Sequence, residues 1–199
     1  MSIINLHEFK VEDSLLTSGG YCLEVGMRSM GLANETLARG MKHIAVEPDL
    51  SIFFPSTQDF KFHNEAIVGN EDIDEVELLV FRDSFCNHLS NISFPFSQTV
   101  SGDEMVKHRV KATTIAKLMQ RYNIKQLDLL TMDCEGSEED IILAMTKPVA
   151  KQIAVEFHTH VGQPILSRDN QIIYLESLGY TMVDFHTHAN SVQYGLFVL

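Results

Sequence analysis

Apolar residues recur along the chain in short runs punctuated by glycine, proline and acidic residues, and their spacing predicts alternating strands and helices. Residues 21–25 form a run after Ser18-Gly19-Gly20; Gly26 follows, then a helical pattern through Leu32, Leu37 and Ala38 that stops at Gly40. Residues 43–46 form a second run, broken by Glu47-Pro48-Asp49, because proline has no N–H to donate and biases the residue before it away from helix. Strand, helix and strand make a βαβ unit. Between residues 60 and 110 the pattern is less regular. Phe60 and Phe62 alternate with Lys61 and His63, 76–81 is a run, and Val106, His108 and Val110 alternate, which predicts strands or a hairpin. Thr113 or Thr114 suits the N-cap of a helix with Ile115, Leu118, Met119 and Tyr122 on one face. Residues 127–132 read as a buried strand, and Ser137 as the cap of a helix with Glu138, Glu139 and Asp140 in its first turn. A strand at 153–155, a helix over 168–178 ended by Gly179, and runs at 181–185 and 192–198 complete the chain. Parallel strands need crossovers of about a dozen residues, so the alternation predicts a mostly parallel, doubly wound α/β sheet. The last two runs lie too close for a crossover and must pair antiparallel, which puts one reversed strand at the C-terminal edge.

No repeat, low-complexity tract or Pro/Gly/Ser-rich linker interrupts this pattern, so one domain is expected over residues 1–199. With 45% hydrophobic and 21% charged residues, a chain of this length buries roughly 70% of its unfolded surface, enough for a sheet covered on both faces. Cys22, Cys86 and Cys134 are odd in number and form no CxxC pair, and they read as reduced thiols. No window approaches the ~20 apolar residues of a membrane span, and the N-terminus has no apolar stretch behind basic residues; a cytoplasmic protein with no membrane partner is expected. A net charge of −12 works against tracking a phosphate backbone, so no nucleic-acid partner is expected either.

The candidate chemistry lies at strand ends. Glu24-Val25-Gly26-Met27-Arg28-Ser29-Met30-Gly31 sits where the first strand meets the first helix, the place where open α/β sheets bind ligands and where glycine permits close approach. Glu47 ends the second strand, placed to accept hydrogen bonds from both ribose hydroxyls of an adenosine; a simple turn and an exposed carboxylate are the plainer explanation. Asp133, Glu135 and Glu138 surround another strand end. Helix capping and dipole partnership suffice for Glu138 and suit Glu135, whereas Asp133 can orient a substrate hydroxyl, take its proton or ligate a divalent ion. Phe157-His158-Thr159-His160 and Phe185-His186-Thr187-His188 repeat one pattern, and with His63 they put five histidines at strand ends. Loop histidines sharing no ligand are the simpler reading, and no metal-ligand set is assigned. A single histidine acting as general base is more economical, since its ordinary pKa of ~6.5 suits proton abstraction near neutrality. His158 follows the strand expected beside that of Asp133, which makes it the candidate.

With these residues in place, the sequence resembles the FkbM-type S-adenosylmethionine-dependent methyltransferases from about Tyr21 to the C-terminus. The resemblance rests on Glu24-Val25-Gly26, Val46-Glu47-Pro48-Asp49, Asn64-Glu65-Ala66, Ile153-Ala154-Val155-Glu156, Gly179-Tyr180 and above all the block from Leu127 through Asp133-Cys134-Glu135-Gly136-Ser137-Glu138. It implies a Rossmann-like methyltransferase fold ending in an antiparallel hairpin. The cofactor would be held by Glu24, Gly26, Met27, Arg28, Glu47, Pro48, Asp49 and Ala66, with Asp133, Glu135 and His158 at the reacting centre. Gly26 would line the methionine part, Glu47 would hold the ribose and Asp133 would lie beside the transferred methyl. The expected cofactor is S-adenosylmethionine, with a divalent metal as a further candidate, and the expected partner is a small-molecule or sugar acceptor methylated on a hydroxyl. Arg28 stands where the family's Gly-Ala-Asn-x-Gly turn has Asn, and the second glycine is delayed to Gly31; a long cation there pairs with the cofactor's carboxylate or blocks it. Two alternatives stay open: an NAD(P)-dependent oxidoreductase, which also wants a glycine turn and an acid but keeps an all-parallel sheet, and a non-catalytic methyltransferase fold binding a metal or a partner.

Overall fold

The computed structural model describes residues 1–81, 88–89, 105–158, 165–187 and 193–199. Strands β1 (Ile3–Leu6), β2 (Phe9–Glu12), β3 (Tyr21–Val25), β4 (Lys42–Val46) and β5 (Phe60–His63) surround helix α1 (Gly31–Ala38). Strands β6 (Glu65–Ile67), β7 (Glu75–Phe81), β8 (His88–Leu89) and β9 (Met105–Thr113) come next. After them the chain runs through α2 (Ile115–Arg121), β10 (Leu127–Met132), α3 (Glu138–Leu143), β11 (Ala150–Phe157), α4 (Ile165–Ser177), β12 (Thr181–Thr187) and β13 (Gln193–Val198).

The central sheet has seven strands in the order β12-β13-β11-β10-β3-β4-β5. From β11 to β5 all neighbours are parallel, and β10, buried at every position, is the continuous apolar run that a strand covered on both faces requires. The reversed strand is β13, and it lies one place in from the edge expected of it. The α4 crossover carries β12 past a vacant lane, and β13 turns back into that lane, antiparallel to both β11 and β12.

One face of the sheet is covered by helices: Ile115, Leu118 and Met119 of α2, Ile141 and Ile142 of α3 and Leu175 of α4 pack over Leu23, Val25, Leu130, Met132, Ile153 and Val155. The other face carries Leu32 of α1 and, unforeseen in the sequence, the β1–β2 hairpin, whose Leu6, Phe9 and Val11 pack on Cys22, Leu129, Ala154 and Leu196. Gln152 ties the hairpin down from the sheet, accepting from the Glu12 N–H at 2.7 Å and donating to the Glu12 carbonyl at 3.1 Å.

The irregular middle forms a second sheet, β6-β9-β7-β8, in which β7 and β9 are the anticipated antiparallel hairpin. Thr114 caps α2, its hydroxyl accepting from the Lys117 N–H at 3.1 Å. Ser137, read as a cap, makes no capping hydrogen bond. The carboxylate of Glu138 instead reaches back to the Cys134 N–H at 3.0 Å. Cys22 and Cys134 are free thiols, and Cys86 lies outside the described residues. Among the described residues no helix is long and apolar enough to cross a membrane.

Candidate active site

Val25, Val46 and Met132 are in register across β4, β3 and β10, so the residues after them emerge side by side at one rim. The ladder continues one step beyond each strand: Gly26 donates to the Val46 carbonyl at 2.9 Å, Asp133 to Val25 at 3.0 Å and Glu47 to His63 at 3.0 Å. At this rim lies a cleft that opens to solvent. Gly26, Arg28, Glu47, Pro48, Ala66, Asp133 and Glu135 line it, drawn from four separate stretches of sequence. Ile67, Leu78 and Leu89 add an apolar wall that the sequence did not disclose, because it depends on how the second sheet stands against the first. Gly26 has φ +93°, and a Cβ there would sit 1.7 Å from the Asp133 carbonyl oxygen. Its glycine serves the approach of two chain segments to each other.

Three residues expected on the cofactor lie elsewhere. Glu24 is buried within the sheet, its Oε2 accepting from His43 Nε2 at 2.8 Å while Nδ1 bonds Thr36 Oγ1 at 2.8 Å. Met27 is fully buried against Ala33, Ala45, Phe60 and Phe62. Asp49 folds onto its own turn, Oδ1 accepting from the Ser51 N–H at 2.9 Å and hydroxyl at 2.7 Å. Asn64, part of the motif after β5, holds that turn through the carbonyls of Glu47, Asp49 and Ile52.

Burial pushes the Glu47 carboxyl up to about 7, against the pull of the Asp49 N–H and the Arg28 guanidinium. The folded, ligand-free chain therefore holds this proton more tightly than the unfolded chain does, and stability falls as pH rises from about 4.5 to about 7. The sum is on the order of 3 kcal/mol. Glu47→Gln, which keeps the acceptor for Asp49, is expected to melt above the wild type at pH 8, with the gap closing toward pH 5. Thermal melts across that range check both the sign and the window.

Beside Glu47 the cavity ends in a group of charges around His158, whose side chain is 4% exposed. Its Nδ1 lies 2.8 Å from Glu138 Oε1, and its Nε2 lies 3.3 Å from Glu156 Oε1, 3.4 Å from Asp133 Oδ1 and 3.5 Å from Glu135 Oε2. Burial draws the imidazole pKa down, but Glu138, Glu156 and Glu135 outweigh it and hold it well above 6.5. That direction favours the protonated imidazole and counts against His158 as the general base read from the sequence. Burial lifts Asp133 well above the usual carboxylate range, opposed by His158 and reinforced by Glu156 and Glu135. Glu135 is raised by burial against His158 and Arg28. Burial also acts on Glu138 and Glu156, yet hydrogen bonds and the His158 charge keep both below the ordinary range.

The turn that gathers these groups has Glu135 at φ +53° and Gly136 at φ +99°, two left-handed residues in succession that fold the Glu135 carboxylate back toward His158. Glu138, dismissed in the sequence as a dipole partner, bridges the Cys134 N–H and His158 and positions both. The other described histidines keep apart: His63 pairs with Tyr122 and His186 with Asp184, while His160 and His188 lie outside the described residues. So does most of 82–102.

A family model described as the Methyltransferase FkbM domain matches residues 27–182. No curated protein matches the chain. Among solved structures, the fibrillarin of Aeropyrum pernix in complex with natively bound S-adenosyl-L-methionine is 9% identical, with a TM-score of 0.46 over 92% of this chain and 68% of that one. The pre-rRNA processing protein fibrillarin of Methanococcus jannaschii is 12% identical, with a TM-score of 0.46 over 99% of this chain and 81% of that one.

Proposed function

Because the chain belongs to the FkbM methyltransferase family, we propose that it moves a methyl group from S-adenosylmethionine to a hydroxyl of a small molecule or sugar. The observation that carries this reading is the alignment of Gly26, Glu47 and Asp133 at one rim, around a cavity with a cation at Arg28 and an apolar wall. These residues fit the cofactor part by part. Glu47 is the acceptor for the ribose hydroxyls, Ile67, Leu78 and Leu89 suit the base, and Arg28 is the partner for the carboxylate. When bound, S-adenosylmethionine supplies a methyl group activated on a sulfonium. The chain's own task is alignment and proton management. Asp133 is the base: its carboxyl lies at the rim, burial raises its affinity for a proton, and His158 3.4 Å away opposes that rise. An acceptor hydroxyl on the cavity side gives its proton to this carboxylate. The oxidoreductase alternative loses its support, since β13 breaks the all-parallel sheet it needs.

The test is transfer of label from methyl-labelled S-adenosylmethionine to a panel of sugars and small hydroxyl compounds, with amines as the contrast. Label on a hydroxyl acceptor supports the reading. Label only on amines contradicts the hydroxyl, and cofactor binding with no transfer to any class favours the non-catalytic alternative.

A further inference from the structure

Proton transfer at Asp133 does not by itself account for the convergence of Glu135 and His158 on the same end of the cavity. We propose that Asp133, Glu135 and His158 bind a divalent first-row metal ion. Among the described residues these three offer ligand atoms within 4.8 Å of one another. His158 Nε2 lies 3.4 Å from Asp133 Oδ1 and 3.5 Å from Glu135 Oε2, longer than hydrogen bonds. Ligands about 2.1 Å from a shared ion are separated by about 3.0 Å at octahedral and about 3.4 Å at tetrahedral angles, so these edges suit an ion between them.

Two further observations point the same way. Asp133 Oδ1 is shielded from solvent and has no hydrogen-bond partner, although the side chain as a whole is 26% exposed; the buried, unsatisfied oxygen is the one turned toward His158. Glu138 Oε1, 2.8 Å from Nδ1, fixes the imidazole so that Nε2 faces the two carboxylates, the second-layer arrangement of metal-bound histidines. The ion would take the place of the proton that Nε2 otherwise shares with Glu156. One imidazole and two carboxylates select a transition ion over magnesium or calcium, which prefer oxygen alone. Asp133 and Glu135 also line the cavity, so an ion held by them would lie at its edge. The inference rests on the methyl-transfer reading for what the ion does, and stands apart from it for whether the ion binds.

The experiment titrates Mn²⁺, and in a parallel series Zn²⁺, into the purified chain, following the loss of the free-Mn²⁺ electron paramagnetic resonance signal and the heat of binding. One ion per chain is expected, weakened at least about tenfold by Asp133→Asn and by Glu135→Gln, and about 10–100-fold by Glu138→Gln. Glu135 lies in a partly exposed turn, so its variant remains informative if the buried Glu138→Gln fails to fold. Failure of both ions to bind the folded wild type, or binding that Asp133→Asn and Glu135→Gln leave unchanged, overturns the site. S-adenosylhomocysteine is titrated into the same samples. Its binding without metal binding removes the metal site alone; metal binding without it sustains the site and removes the cofactor reading.

Discussion

Gly26→Ala is expected to destabilise the chain by about 2–5 kcal/mol and to weaken cofactor binding by more than tenfold. Two effects add. A φ of +93° is strained for any residue with a Cβ, and that Cβ would meet the Asp133 carbonyl oxygen at 1.7 Å and its carbon at 2.7 Å. The obstacle is backbone held in the ladder by the Asp133 N–H to Val25 hydrogen bond, so relief requires β3 and β10 to part at the rim. Against a typical total stability of about 5–15 kcal/mol, such a loss is large. Denaturant unfolding measures the first effect and titration with S-adenosylhomocysteine the second. A variant as stable as the wild type would mean that the rim repacks freely and that the close approach is incidental.

Asp133→Asn is expected to leave the fold and the affinity for S-adenosylhomocysteine nearly unchanged while slowing methyl transfer by ~10²–10⁴-fold. The substitution keeps the shape of the side chain and removes both its charge and its capacity to take a proton. Single-turnover rates with an acceptor identified by label transfer measure the effect. Transfer at the wild-type rate would show that alignment alone drives the step and that the base has been misassigned.

Much of this site could be read from residue order because a parallel sheet in register converts position at a strand end into position at a rim. Gly26, Glu47 and Asp133 follow unambiguous apolar runs, and one residue beyond each is the same edge of the molecule. Side-chain direction and long-range pairing were the illegible part. Glu24 precedes the rim by two residues and turns into the sheet because His43, on the neighbouring strand, is there to receive it. Met27 looked like part of a ligand-binding turn, but Phe60 and Phe62 close over it from a strand far along the chain. The raised pKa of His158 comes from carboxylates such as Glu138 and Glu156, whose convergence on one imidazole no spacing rule encodes. The β1–β2 hairpin escaped notice because its strands are four residues long. Its turn also uses His7 at φ +54°, where a glycine or asparagine would have signalled a reversal.

The central claim is that the rim cavity holds S-adenosylmethionine. Calorimetric titration of the wild type and of Glu47→Ala with S-adenosylhomocysteine, with NAD as the contrast, tests it most directly. The account predicts one site in the wild type, affinity reduced about 10–150-fold in folded Glu47→Ala by loss of a charge-assisted acceptor worth ~1.5–3 kcal/mol, and no heat with NAD. A folded wild type that ignores S-adenosylhomocysteine, or binds it with an affinity that Glu47→Ala leaves unaltered, would contradict it.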